Sequence, residues 1–197
     1  IVINGSGTLS GLAVGGLPDG TVDAGTLATD SVTAAKLEVS AITGADLPTG
    51  SVLQVVQATN SSVLTISSTS YTATGLSGSI TPQFSSSKIL VVTNMSAETY
   101  QNGSAGIKVY FQVLRGSTSI IERVNDSYAG VGSGGYYSFS PNADFSYLDS
   151  PSTTSAVTYS VKTKSSATTN SFSVRLHDQG GVSTVSPSTI TLMEIAG

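Results

Sequence analysis

The sequence predicts an all-β protein: an intertwined trimeric repeat shaft followed by an antiparallel, jelly-roll-like β-sandwich. Three observations predict this class. Ser, Thr, Val and Gly are abundant whereas Lys and Glu are few, which is a β composition. Aliphatic residues recur at every fifth position near the start of the chain. From Ser51 onward the hydrophobic pattern changes to a period of two, as in half-buried strands.

An aliphatic ladder occupies the first part of the chain. Its members stand five residues apart: Leu12, Leu17, Val22, Leu27, Val32, Leu37, Ile42 and Leu47. A helix would scatter these side chains around its axis, and a flat strand would send successive ones to opposite faces. A chain that turns a corner in each repeat can bury all of them. Gly and Asp between the ladder residues, as at Asp19-Gly20, suit corners that need positive φ.

One copy of the ladder is too short to enclose itself, because repeats of this kind need stacked neighbours. We therefore expect residues 12–50 to form a homotrimeric shaft whose core is the ladder. Residues 1–11 are either a linker or the end of a preceding unit. The first residue is Ile rather than Met, which leads us to expect an anchoring part upstream.

Residues 51–197 are expected to form a C-terminal sandwich that serves as a knob. Pro48-Thr49-Gly50 marks the boundary, and every Phe and Tyr lies at Tyr71 or later, so this part has a core wide enough for rings. The alternation slips at Met193, which predicts a bulge or an interface strand. The strands are predicted at 52–56, 63–66, 79–81, 87–92, 107–114, 119–121, 136–148 with a break at Pro141, 157–162, 172–177 and 188–195.

Charge and composition exclude several functions. The formal net charge is −4, and residues 1–50 carry five acids and one base. A weakly acidic chain without a basic cluster argues against nucleic acid. No apolar run approaches the length of a membrane-spanning helix, so membrane insertion is not expected. Cysteine is absent, which removes disulfides, thiolate nucleophiles and Cys-based metal sites.

Several motifs resemble those of bacteriophage tail and virion fibres, notably in phages of marine bacteria. They lie at Gly20 to Leu37, Pro48 to Val56, Ser79 to Pro82, Ser86 to Val91 and Thr189 to Ile195, and the resemblance extends from about residue 17 onward. It implies a homotrimeric fibre on the virion surface, joined to other virion proteins through an upstream part. It also implies that the knob contacts the host. Residues 41–47 are also similar to pentapeptide-repeat proteins, which leaves a single-chain solenoid as an alternative.

The sequence offers little for catalysis, and we expect no enzyme, no cofactor and no metal site. His177 is the single histidine; with Asp178 and Arg175 it forms the one combination that suggests acid–base chemistry. Alternation along its strand instead predicts an exposed or interface histidine on the polar face. Dispersed acids are expected to solvate loops rather than to pair as in glycosidases: Glu122, Asp126, Asp144 and Asp149.

A glycine-rich segment from Tyr128 to Tyr137 is the candidate for host contact through Tyr128, Tyr136 and Tyr137. Tyrosine combines a large flat surface with a polar tip, which suits recognition. The alternative is an ordinary loop between strands. The expected partner is a host surface polysaccharide or an outer-membrane protein. The main alternative function is a purely structural head fibre, decoration or collar protein. An enzyme and a secreted bacterial adhesin are further alternatives, ranked below these two.

Overall fold

The computed structural model describes residues 2–3, 9–10, 27, 29–33, 37–38, 41–102, 106–128, 136–177 and 186–197. The chain divides into two compact units, Ile1–Thr43 and Gly44–Gly197. The structure carries no helix, among the described residues, that is long and apolar enough to cross a membrane.

The first unit contains a short antiparallel pair, β1 (Val2–Ile3) and β2 (Leu9–Ser10). Four described ladder residues lie in this unit and are exposed in the single chain: Leu27 45%, Val32 50%, Leu37 42% and Ile42 57%. Asp30 has φ of +59°, which matches the expected use of Asp at tight corners. Leu12, Leu17 and Val22 lie outside the described residues, so the trimeric shaft stays a prediction.

The second unit begins with a 3-10 turn, Gly44–Asp46. The strands among its described residues are β3 (Val52–Asn60), β4 (Leu64–Ile66), β5 (Thr72–Ile80), β6 (Lys88–Asn94), β7 (Ala97–Asn102), β8 (Gly106–Arg115), β9 (Thr118–Tyr128), β10 (Tyr136–Phe139), β11 (Phe145–Asp149), β12 (Val157–Ser165), β13 (Ser173–Leu176) and β14 (Ser188–Ile195). A 3-10 turn, Thr169–Ser171, precedes β13.

Strand pairing in the second unit is antiparallel throughout the described ladders. The sheet orders are β11-β6-β14-β3, β10-β7-β13-β4 and β5-β12-β8-β9. The first two sheets have the same strand order, and the strands at equivalent positions, such as β6 and β7, are neighbours in the chain. The same four spans of chain therefore form both sheets. The pairing is nested around the innermost pair, β8 with β9. Moving outward along the chain, β7 pairs with β10 and β6 with β11, then β5 with β12, and finally β4 with β13 and β3 with β14.

The core lies between the sheet β5-β12-β8-β9 and the other two. Phe111, Tyr159 and Phe172 are fully buried in it, so this unit uses the rings that the ladder lacks. Gly78 on β5 shows how closely the sheets approach. A Cβ atom there would lie 3.3 Å from Ile190 Cγ2 and 3.4 Å from Leu192 Cδ1, both on the facing strand β14. The predicted all-β, antiparallel sandwich is confirmed.

The sequence pattern missed one strand and shortened several others, among them β3, β5 and β9. Strand β7 was not predicted, because its inward positions are Ala97, Thr99 and Gln101 rather than aliphatic residues. Strand β5 was predicted only at its end, because two glycines interrupt the pattern. Gly75 has φ of +81° and Gly78 sits beneath the facing sheet.

The bulge predicted at Met193 lies one residue later, where the register of β14 with β3 shifts between Glu194 and Ile195. Burial nevertheless alternates without interruption along β14. The apparent slip arises because the inward position holds Glu194, a completely buried acid. Its carboxylate accepts hydrogen bonds from Gln54 Nε2 at 2.6 Å and from the backbone N–H of Gln83 at 2.7 Å.

Glu194 therefore connects three segments at one end of the sandwich. Burial raises the pKa of its carboxyl, but the hydrogen bonds from Gln54 and from the backbone of Gln83 and Phe84 outweigh it, so the pKa lies below its ordinary value. At the same end, residues 50–51 lie beside residue 196. The Gly50 N–H donates to the Ala196 carbonyl at 2.8 Å, and the Ala196 N–H donates to the Ser51 carbonyl at 2.9 Å.

Candidate functional site

The outer face of the sheet β5-β12-β8-β9 concentrates charged and aromatic side chains. On β8 the inward residues Val109 and Phe111 are buried, so the residues between them point outward. We call this surface the charged face. It consists of Tyr71, Lys108, Tyr110, Gln112, Glu122, Val124, Asp126, Lys162 and Lys164. Cross-strand register brings them together, since Lys164 pairs with Tyr110 and Tyr110 pairs with Val124.

An ammonium group lies between two rings at the middle of the charged face. Lys164 Nζ is 4.4 Å from the centroid of the Tyr71 ring and 4.8 Å from that of Tyr110. A cation at this distance from an aromatic face is attracted by the ring quadrupole. The contact fixes the long lysine side chain and holds both rings at a defined spacing across three strands.

The Tyr71 hydroxyl donates a hydrogen bond to the Glu122 carboxylate on β9. Burial raises the pKa of the Tyr71 hydroxyl, and the hydrogen bond to Glu122 and its negative charge raise it further. Tyr71 therefore stays protonated and reaches from the β5 side of the sheet to the β9 side. The edge of the face carries an exposed ion pair, Lys108 Nζ to Asp126 Oδ1 at 3.3 Å, of a kind that contributes little stability.

The tyrosines predicted to contact the host lie at strand ends. Tyr128 ends β9, where it pairs with Gly106, and its register position is two residues beyond Asp126. Tyr136 and Tyr137 open β10, opposite Asn102 and Gln101. The glycine-rich segment between them, 129–135, lies outside the described residues. Host contact through these tyrosines stays a prediction, with Tyr128 placed on the strand that borders the charged face.

The prediction that His177 is exposed or at an interface is wrong: the residue is 1% exposed. It follows β13 with φ of +62°, a left-handed conformation that turns its side chain away from the expected polar face. Its Nδ1 lies 2.8 Å from the Ser62 carbonyl oxygen, and its Nε2 lies 2.8 Å from Ser188 Oγ. Because a carbonyl only accepts, Nδ1 carries a proton; a neutral ring then accepts from Ser188 through Nε2.

His177 closes the junction between the two consecutive sheets. Its backbone N–H donates to the Ser96 carbonyl at 3.1 Å, and the Ser96 N–H donates to Ser188 Oγ at 3.0 Å. Ser96 separates β6 from β7, and Ser188 begins β14. The histidine thus satisfies buried backbone groups where the strand ladders are interrupted, which is a structural role.

A second buried polar cluster surrounds Asp149. Arg115 Nη1 lies 3.0 Å from each carboxylate oxygen, and the hydroxyl of the buried Tyr159 donates to Oδ2 at 2.7 Å. Burial raises the pKa of Tyr159, as do the hydrogen bond and the charge of Asp149, while Arg115 opposes the rise. A groove of about 390 Å³ opens beside Arg115, lined also by Pro151, Thr153 and Val157.

The acids considered for catalysis do not converge. Glu122 is bound to Tyr71, Asp126 to Lys108 and Asp149 to Arg115. Asp144 accepts the Met95 N–H at 2.7 Å. Each therefore has a separate structural partner. In the described part of the chain, no group of three or more His, Asp or Glu side chains is placed to hold a metal ion.

Comparison with known proteins gives no family. No family model matches the chain, and no curated protein matches it. The IBDV viral particle aligns with a TM-score of 0.34 and 13% identity, over 73% of this chain and 36% of that chain. Infectious bursal disease virus of the Gx strain aligns with a TM-score of 0.31 and 13% identity, over 73% and 37%. Likeness at this level decides neither a fold family nor a function.

Proposed function

We propose that this chain is a structural component of a virus particle: a homotrimeric fibre in which residues 12–50 form a shaft and residues 51–197 form a terminal knob for host-surface attachment. The observation that carries the proposal is the exposure of the aliphatic ladder. The five described members, Leu27, Val32, Leu37, Ile42 and Leu47, are 40–57% exposed in one chain. Exposed aliphatic residues in a regular register need cover, and stacked sister chains supply it.

The nested strand pairing supports the knob. A jelly roll has eight spans of chain, of which the first pairs with the eighth, the second with the seventh, the third with the sixth and the fourth with the fifth. The strand pairs described in the second unit follow this order. Jelly rolls recur in viral capsid and lectin domains. A fold alone does not define a function, so the argument rests on the combination of this sandwich with the ladder that precedes it.

The charged face is the surface that best fits host attachment. Tyr71 and Tyr110 offer apolar ring surface, while Lys164 and Glu122 offer a donor and an acceptor that are already held in place. Carbohydrates present both C–H faces and hydroxyl groups, so a surface polysaccharide suits this mixture. In a trimer, three copies of a weak site act together and strengthen attachment by avidity.

The experiment uses the whole chain. Sedimentation should give three times the 19.9 kDa mass of one copy, and the trimer should block adsorption of the phage to its host. Lys164→Ala with Tyr110→Ser should abolish blocking, whereas Arg175→Ala, at a cation that lies over the Tyr100 ring on another sheet, should not. A folded monomer would end the shaft proposal, and equal blocking by both variants would end the attachment surface.

A purely structural head fibre, decoration or collar protein is the second candidate. The observation that favours it is that the polar groups of the charged face already pair with each other, as Lys108 does with Asp126 and Tyr71 with Glu122. Such a face needs no ligand to satisfy it. A trimer that binds virions and leaves host adsorption unchanged would support this function.

A further inference from the structure

The outer face of the sheet β11-β6-β14-β3 differs from the charged face in chemistry. One row of side chains crosses all four strands, because Leu148 pairs with Leu90, Leu90 with Met193, and Met193 with Val55. We call these four residues the apolar row. Its two ends are the most open to solvent, with Leu148 48% and Val55 57% exposed.

The residues around the apolar row are uncharged except for Lys88, which pairs with Ile195 at one edge. Ser146, Val92, Thr191 and Gln57 form the next row, where Gln57 Nε2 donates to Thr191 Oγ1 at 2.9 Å. Ile195 pairs with the 51%-exposed Val52 on the other side. Among the outward-facing residues of these four strands, all of them described, Lys88 is the one that carries a charge.

We propose that this face packs against the same face or flank of a second copy of the chain within the assembled fibre. The inference rests on the proposed trimer and names the surface through which the knobs associate. With one charged residue, Lys88 at its edge, this face meets another copy with little repulsion between like charges. It offers correspondingly little to a partner that is selected by charge.

The five-residue register connects this face to the ladder. Val52 stands five residues after Leu47, so the register continues one step into β3 and ends on the face itself. Leu47 is 40% exposed and Val52 is 51% exposed. A sister chain that covers Leu47 is therefore expected to cover Val52 as well, at the beginning of this sheet.

The size of the face suits the contact. Four strands about 4.8 Å apart and between five and nine residues long span roughly 19 Å by about 24 Å on average, or about 450 Å² per copy. Two copies together bury about 900 Å². The covered ladder adds to that area in the whole chain and brings it to the order expected of a biological interface.

The absence of cysteine from the sequence makes a labelling experiment direct. Val55→Cys and Leu148→Cys place a thiol at either end of the apolar row. Val124→Cys is the matched control, since Val124 is a 45%-exposed valine on the outer face of the opposite sheet. In the assembled chain, a maleimide should label the first two at least tenfold more slowly than the control, and dilution into mild urea should remove the difference.

A charge variant gives a second measurement. Leu148→Lys should raise the dissociation constant of the assembly by at least tenfold in sedimentation equilibrium, whereas Val124→Lys should leave it unchanged. Equal labelling of all three cysteines in a chain that is still trimeric would overturn this interface and leave the proposed shaft intact. A monomeric wild-type chain would overturn both. Protected cysteines at positions 55 and 148 in a chain whose wild type does not bind host cells would support the interface and contradict the attachment function.

Discussion

Tyr159 donates its hydroxyl hydrogen to Asp149 Oδ2 at 2.7 Å, in the interior of the sandwich. Arg115 approaches the same carboxylate from the partly exposed side, with Nη1 3.0 Å from both oxygens. The two partners lie on β12 and β8, neighbours in one sheet, while Asp149 ends β11 of the facing sheet. A single carboxylate thus connects the two layers.

Removal of either partner should destabilise the fold without changing it. We expect Tyr159→Phe to lower the free energy of unfolding by about 1–3 kcal/mol, because it deletes a hydrogen bond to a charged group. Arg115→Gln should cost about 3–5 kcal/mol, since it leaves a buried carboxylate without its cation. Urea unfolding measures both. Tyr147→Phe is the control, as the Tyr147 side chain has no hydrogen bond among the described residues; an equal loss there would contradict the assignment.

Glu194 predicts a pH dependence of stability. Because the pKa of its carboxyl is lower in the folded chain than its ordinary value, the folded state binds fewer protons than the unfolded state near that pH. The stabilisation is therefore present above the ordinary carboxyl pKa and is lost as pH falls through the folded pKa. The urea midpoint of the wild type should fall steeply upon acidification below about pH 4.5.

The variant Glu194→Gln should remove that part of the dependence and lower stability near neutral pH by about 1–3 kcal/mol. Its amide can place a donor opposite the Gln54 Nε2 donor, where the carboxylate now accepts at 2.6 Å. The exposed Glu38→Gln is the matched control and should change neither quantity. A variant whose urea midpoint follows the wild-type pH curve would disprove this account.

His177 should tolerate few replacements. We expect His177→Phe to lower the free energy of unfolding by about 2–4 kcal/mol. Phenylalanine adopts positive φ poorly, and its ring leaves the Ser62 carbonyl and the Ser188 hydroxyl without their partner. Asn visits the left-handed region more readily, so His177→Asn should be less damaging. Thermal unfolding of the two variants measures the order. The opposite order would show that ring packing, rather than backbone conformation and hydrogen bonding, holds this junction.

The tyrosines at the ends of β9 and β10 give a functional prediction. Replacing Tyr128 and Tyr137 by Ser should abolish binding to host cells while the sedimentation mass stays that of the assembled chain. The expected loss follows from removal of large amphipathic rings at a recognition surface. Cell-binding assays with labelled protein measure it. Unchanged binding would end the idea that this end of the sandwich contacts the host.

Much of the sandwich could be predicted from alternation alone. Strand β8 was predicted because aliphatic and aromatic residues occupy its inward positions, as Val109, Phe111 and Val113 do. Strands β12 and β14 were predicted from shorter apolar sets, Val157, Tyr159 and Val161 on β12 and Ile190 and Leu192 on β14. Strand β7 escaped because packing places Thr99 and Gln101 inward. Single-sequence patterns cannot distinguish a polar inward residue with a buried partner from one that faces water.

The site was harder to predict for a related reason. Alternation through Phe172, Val174 and Leu176 correctly placed those residues inward, but it was extended one residue too far, and the left-handed backbone at His177 reversed the expected direction. The charged face depends on register between β5, β12, β8 and β9. Tyr71 and Glu122 are 51 residues apart in sequence, and no local pattern indicates that they meet.

The adjacent positions of Gly50 and Ala196, joined by a hydrogen bond of 2.8 Å, have a consequence for engineering. A domain whose two ends are one strand spacing apart meets the geometric condition for insertion into a loop of another protein. Residues 50–196 could be transplanted between two neighbouring strands of a carrier as a cassette, with both seams at the same pole and the opposite pole free to display foreign peptides.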